Sequence, residues 1–193
     1  MLRVFNHVEI RFVYYLCWGN GAIFWFHQGY TDFNGVDMMN NIDIKLLTEA
    51  IALARSARLH GNHPFGALLA DEHGNILLRA ENTVVTARDC TGHAETNLMR
   101  EASRAFPPDA LARCTLYTST EPCPMCSGAI FWGNVRRVVF ALSQSGLYSM
   151  TGDSPERLPL SCRQVLAHAG RPVEVSGPAL EEEAREVHEG FWV

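Results

Sequence analysis

The sequence predicts an α/β domain of three layers, with helices on both faces of a mixed five-stranded sheet. Three observations lead there. Apolar residues recur at helical spacing from Asn41. Two short strand-like runs then flank a tight turn. Further short apolar runs alternate with helical segments to the end of the chain.

The elements follow in order. Ile44, Leu47, Ile51 and Ala54 mark one face of a helix, with Asn41 or Asp43 as its cap and Gly61 as its stop. "PFGALLA" and "ILLRAEN" surround "DEHGN", whose Gly74-Asn75 makes the pair a hairpin. The segment from Thr83 to Gly92 is polar and reads as a loop. A helix is expected from about His93 to Ala105, ended by Pro107-Pro108. "CTLYTS" is a short buried strand, a helix spans about Cys123 to Trp132, and "RRVVFAL" is the next strand. "SCRQVLAHAG" reads as a capped helix ending at Gly170, and "PVEV" as a short strand. "GPALEEEAREVHEGFW" reads as a terminal helix whose first turns are acidic, where the helix dipole favours negative charge.

The chain has 193 residues, enough for one domain with a full core. Its net charge of -5 argues against a broad nucleic-acid surface, which carries a basic excess. Of six cysteines only Cys123 and Cys126 are close in sequence, so no disulfide framework is expected and a reducing cytoplasm is. Residues 1–37 differ from the rest and hold more than half of the Phe, Trp and Tyr. The apolar run from Phe12 to Phe26 is broken by Gly19-Asn20-Gly21 and is shorter than the roughly 20 residues of a membrane span. These residues are expected to be an extension outside the core, upstream of a start at Met38 or Met39. A docking or dimer-contact arm and a membrane anchor are the alternatives. The folded domain is then 38–193.

The chemistry concentrates in two stretches, "TGHAETNLMR" and "TEPCPMCSGA". Cys123 and Cys126, spaced three apart at a helix start, have sulfurs on one side, where backbone N–H groups and the dipole favour thiolates. A redox Cys-x-x-Cys needs no third ligand. A zinc site needs at least one more, and His93 supplies it. One histidine and two cysteines leave a fourth tetrahedral position open, as in catalytic zinc sites. Glu95 fits a proton-carrying role beside it. Two residues apart on a regular helix diverge by about 200°, so His93 and Glu95 share a site only at an irregular helix start, or if Glu95 leans across it.

"HAE" at 93–95 and "PCPMC" at 122–126 resemble the H-x-E and P-C-x-x-C pattern of the zinc-dependent cytidine deaminase-like superfamily. The resemblance runs from about Asp43 to Leu142. It implies the cytidine deaminase-like fold and one Zn2+ per chain held by His93, Cys123 and Cys126. It also implies hydrolysis at an amidine-like ring carbon, with Glu95 ferrying protons from the attacking water to the ring nitrogen and the departing amine. A homodimer is expected by resemblance alone.

Within the superfamily, "LYTSTEPCPMCSGAIFW" and "HPFGALLAD" look most like the guanine deaminase branch. By that resemblance Phe65 stacks on the base, Asn82 hydrogen-bonds the ring or the ribose and Trp132 lines the pocket. The segment "FALSQSGLYSMTG" lacks the aspartate and lysine usual in bacterial tRNA adenosine deaminases. It also departs from the acidic element usual in guanine deaminases. The expected activity is hydrolytic deamination of a purine base or nucleoside, guanine-like by preference. A tRNA adenosine deaminase, a cytosine or cytidine deaminase, and a zinc-stabilised module without turnover are the alternatives.

Overall fold

The computed structural model describes residues 18–19, 22–23, 39–152, 154–155 and 157–192. The chain divides into two units, Met1–Met38 and Met39–Val193. In the first, β1 (Trp18–Gly19) pairs antiparallel with β2 (Ala22–Ile23). The expected extension over 1–37 otherwise lies outside the described residues.

The second unit opens with α1 (Asn41–Leu59). Asn40, one residue before Asn41 and three before Asp43, holds the helix start. Its Oδ1 accepts the Ile42 and Asp43 N–H groups at 2.8 and 2.9 Å, and Asp43 Oδ2 accepts the Asn40 N–H at 3.1 Å. This reciprocal box satisfies amides that the helix cannot. Gly61, at φ +82, follows the C-terminal cap His60, as expected of the stop.

Next come β3 (Gly66–Ala70), β4 (Ile76–Glu81), the short α2 (Val84–Ala87), α3 (Ala94–Ala105), α4 (Pro108–Leu111), β5 (Thr115–Thr120), α5 (Pro124–Trp132) and β6 (Arg137–Leu142). They are followed by α6 (Gln144–Met150), α7 (Cys162–Leu166), β7 (Glu174–Ser176) and α8 (Glu181–Glu186). The sheet order is β4-β3-β5-β6-β7. β3 runs antiparallel to both β4 and β5, while β5, β6 and β7 are parallel. This is the mixed five-stranded sheet read from the sequence.

Period-2 alternation divides the core between two faces. Leu68, Ala70, Tyr117, Val139 and Ala141 pack with α1 and with Ala184 and Val187. Ala67, Leu69, Leu116 and Val138 pack with Leu98 and Met99 of α3 and Ile130 of α5. Gly66 is where α1 comes closest to the sheet: a Cβ there would sit 2.5 Å from the Ala54 nitrogen and 2.6 Å from the Ala50 carbonyl oxygen. Among the described residues no helix is long and apolar enough to cross a membrane.

One ion pair ties α1 across the sheet. Arg137 Nη1 and Nη2 reach Asp43 Oδ1 and Oδ2 at 2.8 and 3.1 Å, and the Tyr117 hydroxyl donates to Oδ1 at 2.7 Å. Asp43 is 1% exposed. Burial pushes its carboxyl pKa up, but the hydrogen bonds from Arg137, Tyr117 and the Asn40 amide outweigh burial and hold it below the ordinary value. Arg137→Met leaves the carboxylate buried without its cation. Arg137 keeps a quarter of its side chain exposed, so the lower end of the range applies, a loss of about 3 kcal/mol. For a domain of this size that is a fall of about 6–12 °C in Tm at pH 7. The unfolded chain binds the Asp43 proton more tightly than the folded one, so this stabilisation is present above the ordinary aspartate pKa of about 3.9. It is lost as pH falls through the lowered folded value. Melting curves of both proteins at pH 7 and pH 3 should therefore converge in acid. A gap that does not narrow would show that the carboxylate's charge is not what Arg137 stabilises.

Candidate active site

Two helix starts meet at one end of the parallel strands. His93 is the N-terminal cap of α3, with φ -67 and ψ 150. This extended backbone is the irregular start that the His-x-Glu spacing requires, because it turns the imidazole off the helical path while Glu95 stays in the first turn. The preceding loop is fixed by its own side chains. Asp89 Oδ1 accepts the Thr91 N–H and hydroxyl, and Asn97 Nδ2 donates to Glu81 O, Thr83 Oγ1 and Gly92 O. Cys123 caps α5 in the same way, at ψ 170, with Pro124 at the first helical position and Cys126 in the first turn.

His93 Nδ1 lies 3.6 Å from both Cys123 Sγ and Cys126 Sγ. The ligand atoms of the three residues all lie within 4.8 Å of one another. Zinc bonds of about 2.3 Å to sulfur and about 2.0–2.1 Å to nitrogen, at tetrahedral angles, give an N···S edge of about 3.6 Å. The donor set and its spacing therefore fit zinc.

The charges are shared across the cluster. A hydrogen bond from the Cys126 thiol does most to lower the Cys123 pKa, to about 4, against burial and with help from His93. The same bond, together with burial, raises Cys126. The hydrogen bond to Cys123 raises His93, again against burial. Of the two sulfurs Cys123 is the one favoured as thiolate, and α3 and α5 present their positive ends to it.

Glu95 is 5% exposed. Its Oε1 accepts the Thr118 hydroxyl at 2.8 Å, and Oε2 lies 3.4 Å from Cys126 Sγ. Burial first, and then the neighbouring Cys123 charge, raise its pKa. A carboxyl whose pKa is raised in this way is better suited to taking and giving a proton than an ordinary carboxylate. Glu121, in the same motif as the cysteines, is engaged elsewhere. It accepts the Gln144 and Cys162 N–H groups at 2.9 and 3.1 Å, at the starts of α6 and α7.

The expected substrate contacts divide. Asn82 is fully buried at the end of β4, its N–H donating to Phe65 O and its Oδ1 accepting the Val84 N–H. Among the described residues its Nδ2 has no partner. Phe65 immediately precedes Gly66, whose carbonyl is 3.4 Å from Thr118 Oγ1. The structure thus joins Phe65 and Asn82 by a main-chain bond and links them to Glu95 through Thr118. Trp132 is not brought in. It ends α5, about 12 Å along the axis from the cysteine end, and is 81% exposed. The structure does not bring it to the sulfurs, because α5 is long enough to carry it away from them.

Sequence reasoning missed Thr118 and Asn97. A polar residue in an otherwise buried strand was the signal for the first. It also extended the last helix too far. α8 stops at Glu186, and a turn carries His188, Phe191 and Trp192 onto Phe65 and His63.

A buried carboxyl beside a half-open His-Cys-Cys cluster, at two helix starts above a mixed sheet, defines a metal-assisted hydrolase. The profile of the cytidine and deoxycytidylate deaminase zinc-binding region matches residues 40–142, and the chain belongs to that family. It is a zinc-dependent hydrolase of cyclic amidine C–N bonds. A "Probable cytosine deaminase" of Schizosaccharomyces pombe is 45% identical over 152 residues, covering 78% of this chain and 92% of that protein. The guanine deaminase of Bacillus subtilis is 44% identical over 78 residues, 40% of this chain and 49% of that one. A solved guanine deaminase from Nitrosomonas europaea has the same fold, with a TM-score of 0.61 at 23% identity, covering 84% of this chain and 93% of that one.

Proposed function

We propose that the protein deaminates a free nucleobase carrying both an oxo and an amidine group, with Glu95 as the proton carrier. The observation that carries this reading is the Glu95 carboxyl, buried, oriented by Thr118 and next to the Cys126 sulfur. His93, Cys123 and Cys126 would hold zinc, which would supply the Lewis acidity that lowers the pKa of water towards about 7. Glu95 takes a proton from the attacking water and delivers it to the ring nitrogen. The water oxygen bonds to the ring carbon, the C–N bond breaks, and Glu95 passes a second proton to the amine, which leaves as ammonia. Phe65 offers the base an aromatic face, and Asn82 Nδ2 offers it a hydrogen bond.

The motif around the cysteines favours guanine. The likeness to the fission yeast protein, over nearly all of that protein's length, favours cytosine. The aromatic side chains of residues 188–192, packed on Phe65, favour a base over a nucleoside or a tRNA loop. The reading includes a homodimer in the cytoplasm.

Zinc-loaded protein offered cytosine, guanine, adenine, cytidine, guanosine and an anticodon stem-loop is expected to release ammonia from cytosine or guanine. Inosine formed in the stem-loop would replace this reading with a tRNA-editing one. Silence on every compound would end it.

A further inference from the structure

His188 is a buried polar group that the reaction described above does not use. It is 1% exposed, and among the described residues its Nε2 has no hydrogen-bond partner. Such a group costs about 1–3 kcal/mol when left unpaired, so its place in the fold calls for an acceptor.

Three contacts define what His188 offers. The Trp192 indole N–H donates to His188 Nδ1 at 3.3 Å, and the two rings are stacked at 14°. That bond makes Nδ1 the acceptor and leaves the proton on Nε2. The ring also lies 5.3 Å from the Phe65 ring. Arg58 Nη1 donates to the carbonyls of Val187 and Glu189, both at 2.8 Å, so the turn on either side of His188 is anchored to α1. Burial first, and then the Arg58 charge, lower the His188 pKa to about 4. At neutral pH the ring is therefore an uncharged N–H donor packed beside the Phe65 ring.

From these contacts we infer that His188 is a specificity-determining residue whose Nε2–H donates to the carbonyl oxygen of the base. The inference rests on the nucleobase reading above and narrows it. The amidine edge belongs to Glu95, and the far edge is read by neutral donors, Asn82 Nδ2 and His188 Nε2, among aromatic rings. A base with an oxygen there satisfies them. A base without one leaves buried N–H groups unpaired, the situation in which sites discriminate most sharply. Trp192 is a positioning residue, because it fixes the tautomer.

The test uses zinc-loaded full-length enzyme and matched bases that differ by that oxygen: cytosine against 4-aminopyrimidine, and guanine against 2-aminopurine. The pair whose oxo member releases ammonia is used. For the wild type, kcat/KM on the oxo base should exceed that on its partner by at least about 100-fold. His188→Leu should reduce kcat/KM on the oxo base by about 10- to 100-fold and change it little on the partner. His188→Gln, which keeps an N–H donor, should recover part of the preference. Because the ratio is read within one protein, general damage to packing cancels. If His188→Leu does not fold, His188→Gln supplies the ratio. Equal losses on both bases would assign His188 to packing alone and overturn the inference. Failure of the nucleobase reading is separately visible: wild-type enzyme would then act on neither oxo base, and the inference falls with it before any variant is made.

Discussion

Glu95→Gln is expected to lower turnover about 10⁴-fold while leaving zinc in place. General acid–base catalysis is worth about 10²–10⁴-fold per positioned group, and Glu95 handles more than one proton in the cycle, so the upper end applies. The amide is close in shape to the carboxyl, and its oxygen can still accept the Thr118 hydroxyl now bound at 2.8 Å. What is lost is the capacity to exchange protons. Stability should not fall. Burial already disfavours the charged carboxylate, and a neutral amide of the same size avoids that desolvation. The measurements are kcat, metal content by elemental analysis and Tm on one preparation. Residual turnover within tenfold of wild type would remove Glu95 from the chemistry. Loss of zinc would make it a ligand rather than a proton carrier.

Cys123→Ala should release the metal and abolish activity. Its sulfur and that of Cys126 both lie 3.6 Å from His93 Nδ1, and removing one leaves two protein ligands for an ion that needs at least three. The helix starts that converge there also lose the charge they enclose, so the effect extends to stability. A ligand present at 1,000 times its Kd stabilises by about 4 kcal/mol, which for a domain of this size is a Tm loss of about 8–16 °C. A chelator acting on wild-type protein should produce the same shift, and added zinc should reverse it in wild type but not in the variant. Cys90→Ala is the control: Cys90 is exposed and apart from the cluster, so metal, activity and Tm should be unchanged. Were Cys123→Ala to keep zinc and turnover, the sulfur would be a structural thiol.

The sequence reading succeeded where local chemistry decides geometry. His93 and Cys123 each precede a helix, and a residue at that position leaves the helical path, so two short motifs were enough to bring their side chains together. The hairpin of β3 and β4 and the existence of β5 and β6 as strands followed from short apolar runs of the right length. The reading failed where distant contacts override composition. "EEEAREVHEGFW" has helical composition, but the helix stops at Glu186. Beyond it, Arg58 takes the carbonyls of Val187 and Glu189, and His188, Phe191 and Trp192 pack on residues more than a hundred positions away. α6 was missed because "SQSGLYSM" looks like a loop. It forms because the Ser143 hydroxyl caps it and Glu181 accepts the Ser143 N–H and hydroxyl.

Zinc K-edge absorption on the purified full-length protein tests the central claim most directly. The account predicts about one zinc per chain, with the sulfurs of Cys123 and Cys126, the nitrogen of His93 and one light, exchangeable oxygen around it. A shell with a further sulfur, a second protein ligand in place of that oxygen, or protein that takes up no zinc at all would contradict it.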